Sequence, residues 1–193
     1  MKYFVGYSAP QVVSEYYKWV TADLAKSFGI INNSDRISAH LTIIYPFEVD
    51  SIEEIETRIK SLISQKSAIP FTIRGFEQFT GNDGTVFLAV EPNVTLQSFI
   101  KDCIYSIGDL EQYYRYGSEF KLHMSIARHL TSDLGQDIMK YLKTLPIPQF
   151  ELLFDNLTIF INENDKWRIL KSFELSVGNN KPVGSKTLPP DGY

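Results

Sequence analysis

The sequence predicts an α+β fold built by duplication. Three observations carry that reading. Apolar residues switch between alternating and helical spacing along most of the chain. Two short stretches repeat one pattern, His40-Leu41-Thr42-Ile43 and His123-Met124-Ser125-Ile126. Their separation, 123 − 40 = 83 residues, is about one run of strand, helix, strand, helix, strand.

The elements follow in order. Lys2–Ser8 reads as a strand. Ala9-Pro10 opens a helix to about Phe28, with Val13, Tyr16, Tyr17, Val20 and Leu24 at helical spacing and Gly29 as its stop. A polar loop, Asn32–Arg36, leads to the first histidine strand, His40–Phe47. Asp50-Ser51 is expected to cap a second helix whose stripe is Ile52, Ile55, Ile59, Leu62 and Ile63. Pro70–Thr80 and Thr85–Val90 form a hairpin around Gly81-Asn82-Asp83-Gly84. The order then repeats. A helix spans Val94–Ile107, and the aromatic loop Gly108–Glu119 precedes the second histidine strand, Phe120–Ala127. Thr131-Ser132-Asp133 caps a helix to about Leu145. Two strands close the unit, Gln149–Ile161 and Trp167–Ser176, joined by the turn Asn162–Asp165. This gives one domain over residues 1–176, with pseudo-repeats at about 1–84 and 85–176, and a flexible tail over 177–193.

Composition bounds the function. A chain of 193 residues with 44% apolar and 13% aromatic content can bury a substantial core. No apolar run approaches the roughly 18 residues that would span a bilayer. The start has polar breaks too early for a signal peptide, so a cytoplasmic protein without membrane partners is expected. A net charge of −4 argues against a sheath along long nucleic acid, but a small phosphorylated substrate needs only a local positive site. Cys103 is the only cysteine, which rules out an internal disulfide and a zinc ribbon. It falls on a helical stripe, where a small buried residue is the plain reading.

The paired motif carries the chemistry. In a strand, side chains alternate faces. His40 and Thr42 then share one face while Leu41 and Ile43 bury the other, and His123, Ser125, Met124 and Ile126 repeat the arrangement. Strands that met would make a pocket with two imidazoles and two hydroxyls, equipment for acid–base work on a phosphate. The plain alternative is two half-buried histidines bonded to neighbouring hydroxyls. A zinc site is a third reading, but a third protein ligand is wanting, since acidic residues near the motifs are sparse. His129 follows the second strand without a hydroxyl partner, which suits a surface or capping role.

HLTIIYPF and HMSIAR, in a duplicated chain, resemble the two H-x-[ST]-x motifs of the two-histidine (2H) phosphoesterase superfamily, in its LigT-like, 2'-5' RNA ligase or cyclic phosphodiesterase branch. The resemblance covers residues 1–176. It implies two pseudo-symmetric lobes whose antiparallel sheets line a central cleft, with helices outside. It implies that His40, Thr42, His123 and Ser125 are catalytic, with no cofactor and no metal. The implied reaction opens 2',3'-cyclic phosphodiesters of RNA ends or small nucleotides, with reversible 2'-5' RNA ligation at the same site. One imidazole would act as base and the other as acid, near an ordinary pKa of about 6.5. Lys121 shares the face of His123 by parity and is a candidate phosphate contact. Arg128 is a candidate substrate contact, although strict alternation turns it to the opposite face. By the same rule Tyr45 is expected in the core. Tyr113, Tyr114 and Tyr116 could stack a base. The chain is expected to act as a monomer on an RNA end or cyclic nucleotide. The rival class is a non-catalytic binding module for phosphorylated RNA ends or nucleotides, and other phosphodiesters remain open as substrates.

Overall fold

The computed structural model of the chain describes residues 1–80, 84–108 and 121–176. The turn residues 81–83, the tyrosines of the 109–120 loop and the 177–193 tail lie outside the described residues. Among those described, the strands are β1 (Lys2–Ser8), β2 (His40–Glu48), β3 (Ile69–Phe79), β4 (Gly84–Pro92), β5 (His123–Leu130), β6 (Gln149–Phe154), β7 (Asn156–Glu163) and β8 (Lys166–Glu174). The helices are α1 (Gln11–Phe28), α2 (Glu53–Ile63), α3 (Val94–Ile107) and α4 (Ser132–Leu142), with a short 3-10 turn at Asn33–Asp35. No described helix is long and apolar enough to cross a membrane.

Most helix ends obey the sequence. Gly29 takes the left-handed conformation, φ 66°, and its N–H bonds to Ala25 O at 3.0 Å, ending α1. The Asn93 side chain caps α3 through Leu96 N, and the Thr131 hydroxyl caps α4 through Leu134 N. The start of α2 differs from the expectation. Ile52 occupies the cap position, and the Ser51 hydroxyl accepts from Glu53 N just outside the helix.

The strands form two antiparallel four-stranded sheets, ordered β2-β1-β7-β8 and β5-β4-β3-β6. The expected single strand over Gln149–Ile161 is two. It breaks at Asp155, whose backbone oxygen accepts from Leu175 N at 2.7 Å. β6 stays in the second sheet and β7 enters the first. Each sheet thus takes strands from both halves of the chain: β3 crosses to the second sheet, while β7 and β8 return to the first. Repeats and lobes therefore do not coincide.

The core is continuous between the lobes. Tyr7 of β1 packs edge-on against Phe71 of β3 at 5.5 Å and stacks on Phe154 of β6 at 5.0 Å. Phe99 of α3 meets Phe154 at 5.8 Å, and Tyr16 of α1 meets Phe150 at 5.5 Å. Helices of one half also pack on strands of the other, α1 against β5 and α3 against β2.

The pseudo-symmetry holds rung by rung. Gly6 stands opposite Thr42 and Val5 opposite Ile44, so Ile43 is an extra residue, a bulge. Phe87 stands opposite Ser125 and Val86 opposite Ala127, so Ile126 is extra in the same place. A second irregularity follows in each strand, between the Val5–Ile44 and Tyr3–Phe47 rungs and between the Val86–Ala127 and Gly84–Leu130 rungs. Motif strands are thus offset by 83 residues, their neighbours β1 and β4 by 87 − 6 = 81.

Candidate active site

β2 and β5 are the edge strands of their sheets and lie against one another. This brings both motifs to one place. His40, Thr42, His123 and Ser125 are all half-buried, whereas Leu41, Ile43, Met124 and Ile126 are buried. Strand parity thus sorts the motif as the sequence suggests.

Each imidazole is held in the same way. His40 Nδ1 lies 2.8 Å from the Ser38 carbonyl oxygen, and His123 Nδ1 lies 2.8 Å from the Lys121 carbonyl oxygen. A carbonyl only accepts, so Nδ1 donates in both rings and Nε2 is the nitrogen left for chemistry. Each ring also rests on two phenyls. His40 is 5.1 Å from Phe4 and 5.6 Å from Phe160. His123 is 5.2 Å from Phe87 and 5.0 Å from Phe79.

The two cradles are built differently. Phe87 sits on the rung of Ser125, directly beside the histidine. The equivalent residue in the first lobe is Gly6, and Phe4 leans over it: a Cβ on Gly6 would stand 3.2 Å from the Phe4 ring. The missing side chain makes room for a ring borrowed from two residues away. Phe160 and Phe79 complete the cradles at equivalent positions, 160 − 79 = 81.

Burial disfavours the charged form of both imidazoles. Burial lowers the His40 pKa to about 4, opposed by the bond to Ser38 and reinforced by His123 and Arg128. Burial lowers His123 too, opposed by its bond to Lys121 and reinforced by the charges of Arg128 and Lys121. Arg128 therefore acts on both rings.

Strict alternation misplaces Arg128, and the bulge explains why. The extra residue Ile126 leaves Ile126 and Ala127 both buried, and Arg128 emerges exposed on the side of Ser125. Among the described residues the Arg128 guanidinium has no ion-pair partner. The same bulge corrects Tyr45. Past buried Ile43 and Ile44, this tyrosine is half-buried beside the rung of Phe4, not in the core. Lys121 is ion-paired with Glu77 and passes 5.7 Å over the Phe87 ring. His129 is exposed, with φ 58° at the second irregularity of β5. Cys103 is buried and its thiol is pushed far above the ordinary range. Among the described residues no three His, Cys, Asp or Glu side chains gather to share a metal ion.

Two residues escaped the sequence reading. Asn33 Nδ2 donates to the Tyr17 hydroxyl at 2.8 Å and to the Ser125 carbonyl at 3.0 Å, tying the loop of the first lobe to the second motif. Asn156 clamps the end of β1, accepting from Ser8 N at 2.9 Å and donating to Ser8 O at 3.1 Å. Ser8 is the rung partner of His40. A polar loop and a lone Asn in an apolar run were the only signals.

This arrangement, two lobes joined at twin H-x-[ST]-x strands, defines a class, and comparison supplies the family. The 2'-5' RNA ligase superfamily matches residues 21–166, and the chain belongs to it. A protein of Geobacillus sp. (strain WCH70) named "Putative phosphoesterase GWCH70_0799" is 28% identical over 142 residues, covering 71% of this chain and 78% of its own. A "Putative phosphoesterase" of Bacillus pumilus is 26% identical over 141 residues, covering 72% and 80%. Among solved structures, TT0787 of Thermus thermophilus shares the fold, with TM-score 0.63, 14% identity, and 92% and 99% of the two chains covered. E. coli LigT complexed with 3'-AMP has TM-score 0.54 and 13% identity, with 91% and 98% covered.

Proposed function

We propose that the protein is a phosphoesterase that opens 2',3'-cyclic phosphodiesters of RNA ends or small nucleotides, using His40 and His123 as base and acid without a metal ion. The observation that carries this reading is the identical seating of the two imidazoles, each with Nδ1 tied to a carbonyl two residues upstream and Nε2 left over. An acid–base pair needs fixed rings with one nitrogen each to offer.

The depressed histidines give the reaction an order. Burial disfavours a proton on both, which favours a neutral ring as base. The phosphodiester brings a negative charge, which offsets Arg128 and favours a proton on the other ring. The neutral Nε2 takes a proton from water as its oxygen bonds to phosphorus. The bond from phosphorus to the 3' oxygen breaks, the charged ring protonates that oxygen, and a 2'-phosphate remains. Each proton transfer is typically worth about 10²–10⁴-fold. The Thr42 and Ser125 hydroxyls bond to the non-bridging oxygens as charge builds there. Ligation follows the same path with the 5' hydroxyl of a second RNA in the place of water: it gives its proton to the neutral ring, its oxygen bonds to phosphorus, and the 3' oxygen leaves protonated. The names of the Geobacillus and Bacillus relatives, and the 3'-AMP complex of LigT, support a phosphoester and a nucleotide as ligand.

The deciding experiment is turnover of a 2',3'-cyclic nucleotide in EDTA by the wild type, His40→Ala and His123→Ala. Turnover by the wild type and loss of about 10³-fold or more in both variants is expected. Binding without turnover would mark a binding module instead, and full activity in either variant would sink the mechanism.

A further inference from the structure

The two sides of the cleft are equivalent in backbone and opposite in chemistry. The rungs match Tyr45 with Arg128 (128 − 45 = 83) and Thr158 with Glu77 (158 − 77 = 81). Lys121 precedes His123 by two residues, where Ser38 precedes His40. The second lobe thus carries a guanidinium, a carboxylate and an ammonium. The first carries a phenol and two hydroxyls, one of which, Thr158, is spent on Asn156 and Ser172 at 2.9 and 2.8 Å.

The first lobe continues into an aromatic shelf. Trp167 of β8 meets Phe4 edge-on at 4.8 Å, on the same ring that lies 5.1 Å from His40. Trp167 is half-buried, and its backbone N–H donates to Arg36 O at 2.8 Å, which fixes the start of the edge strand. Ile169, on the rung beside Phe160, is 50% exposed. Apolar and aromatic surface therefore runs from His40 to the rim of the first lobe, while among the described residues the second lobe exposes Phe79 beside His123 together with the charges of Glu77, Lys121 and Arg128. A nucleotide has the same polarity, with a flat base at one end and charge at the other, and aromatic side chains bind bases by stacking whatever the base.

We propose that the cleft is polarised: the nucleobase of the substrate stacks on the first lobe at Trp167 and Tyr45, and its phosphate lies between the histidines on the Arg128 side. This rests on the reading of the site as one for nucleotide phosphodiesters. Specificity for a nucleoside over a base-free phosphodiester then resides in β2 and β8, and the second lobe handles phosphate.

The chain has two tryptophans, so Trp19→Phe isolates Trp167 as a fluorophore. This protein is titrated with 3'-AMP and, separately, with inorganic phosphate, while NMR follows the His40 and His123 ring signals. Both ligands should shift the histidine signals, and 3'-AMP alone should quench Trp167 saturably. Tyr45→Ala and Trp167→Ala should each lower the ratio of 3'-AMP to phosphate affinity by about tenfold. Trp167→Phe, which keeps a ring against Phe4, should lower it less and serves if the alanine variant unfolds. Histidine shifts with unquenched Trp167, and a ratio that survives the substitutions, would overturn the polarity while leaving the phosphodiesterase reading intact. No histidine shift with either ligand would overturn both.

Discussion

The side-chain amide of Asn33 donates to the backbone carbonyl of Ser125 at 3.0 Å, so the loop that delivers His40 is anchored on the motif that contains His123. The same nitrogen donates to the buried Tyr17 hydroxyl. Asn33→Ala strands both partners. We expect a loss of about 1–3 kcal/mol in a urea titration. We also expect a fall in kcat larger than in KM, because the spacing of the two imidazoles is what the tie sets. Equal turnover by variant and wild type would refute that role.

Gly6 is the second point of leverage. A Cβ there would collide with the Leu41 carbonyl oxygen, on the backbone beside His40. Backbone cannot yield as a flexible side chain does, so Gly6→Ala must part β1 from β2 and tilt Phe4. The expected cost is at least about 1–3 kcal/mol, typical of overpacking. Its signature is a changed His40 ring signal with His123 little altered, read by NMR.

Arg128 presses on both histidines. Removing a positive charge raises the pKa of a nearby imidazole, so Arg128→Gln should move the acidic limb of the kcat/KM profile upward in pH. With phosphate on the Arg128 side as proposed, the loss of a charged hydrogen bond, about 1.5–3 kcal/mol, should also raise KM by roughly tenfold to a hundredfold. An unmoved limb would detach Arg128 from the histidines.

Stability should carry the same imprint. Folded His40 titrates at about 4, below the roughly 6.5 of an unfolded chain. Between those values the unfolded chain binds a proton that the folded one refuses. The contribution of His40 is therefore fully present above about pH 6.5 and is lost as pH falls toward 4. The burial of His123 acts in the same direction. Because the ring edge meets solvent, a loss of order 1–2 kcal/mol is expected from His40. Denaturation midpoints at about pH 7 and about pH 4.5 measure it, and His40→Gln should flatten the difference.

The motif strands were legible because period-2 patterning and a spacing of 83 are local facts, and the bulges repeat at that same spacing. What strict alternation hid lies one residue further on. Ile43-Ile44 and Ile126-Ala127 place two apolar residues in succession, the mark of an extra residue, and only with that insertion do Tyr45 and Arg128 reach the cleft side. The break at Asp155 was likewise written as one acid in an apolar run, but its consequence, a change of sheet, depends on partners far along the chain. Asn33 and Asn156 act through distant backbone atoms, 92 and 148 residues away, which no local pattern encodes.

Because β3 belongs to the sheet of the second motif, and β7 and β8 to that of the first, each half of the chain is completed only by the other. Severing the link between β3 and β4 would leave two fragments with one histidine of the pair apiece and a gap in each sheet. Neither fragment could present a finished cradle, since Phe160 and Phe79 each come from the opposite half to the histidine they support. The fragments would have to find one another before either folded, and activity would rise with the product of their concentrations. The duplication has thus become an obligate partnership, closed like an exchanged-arm dimer whose subunits share a single thread.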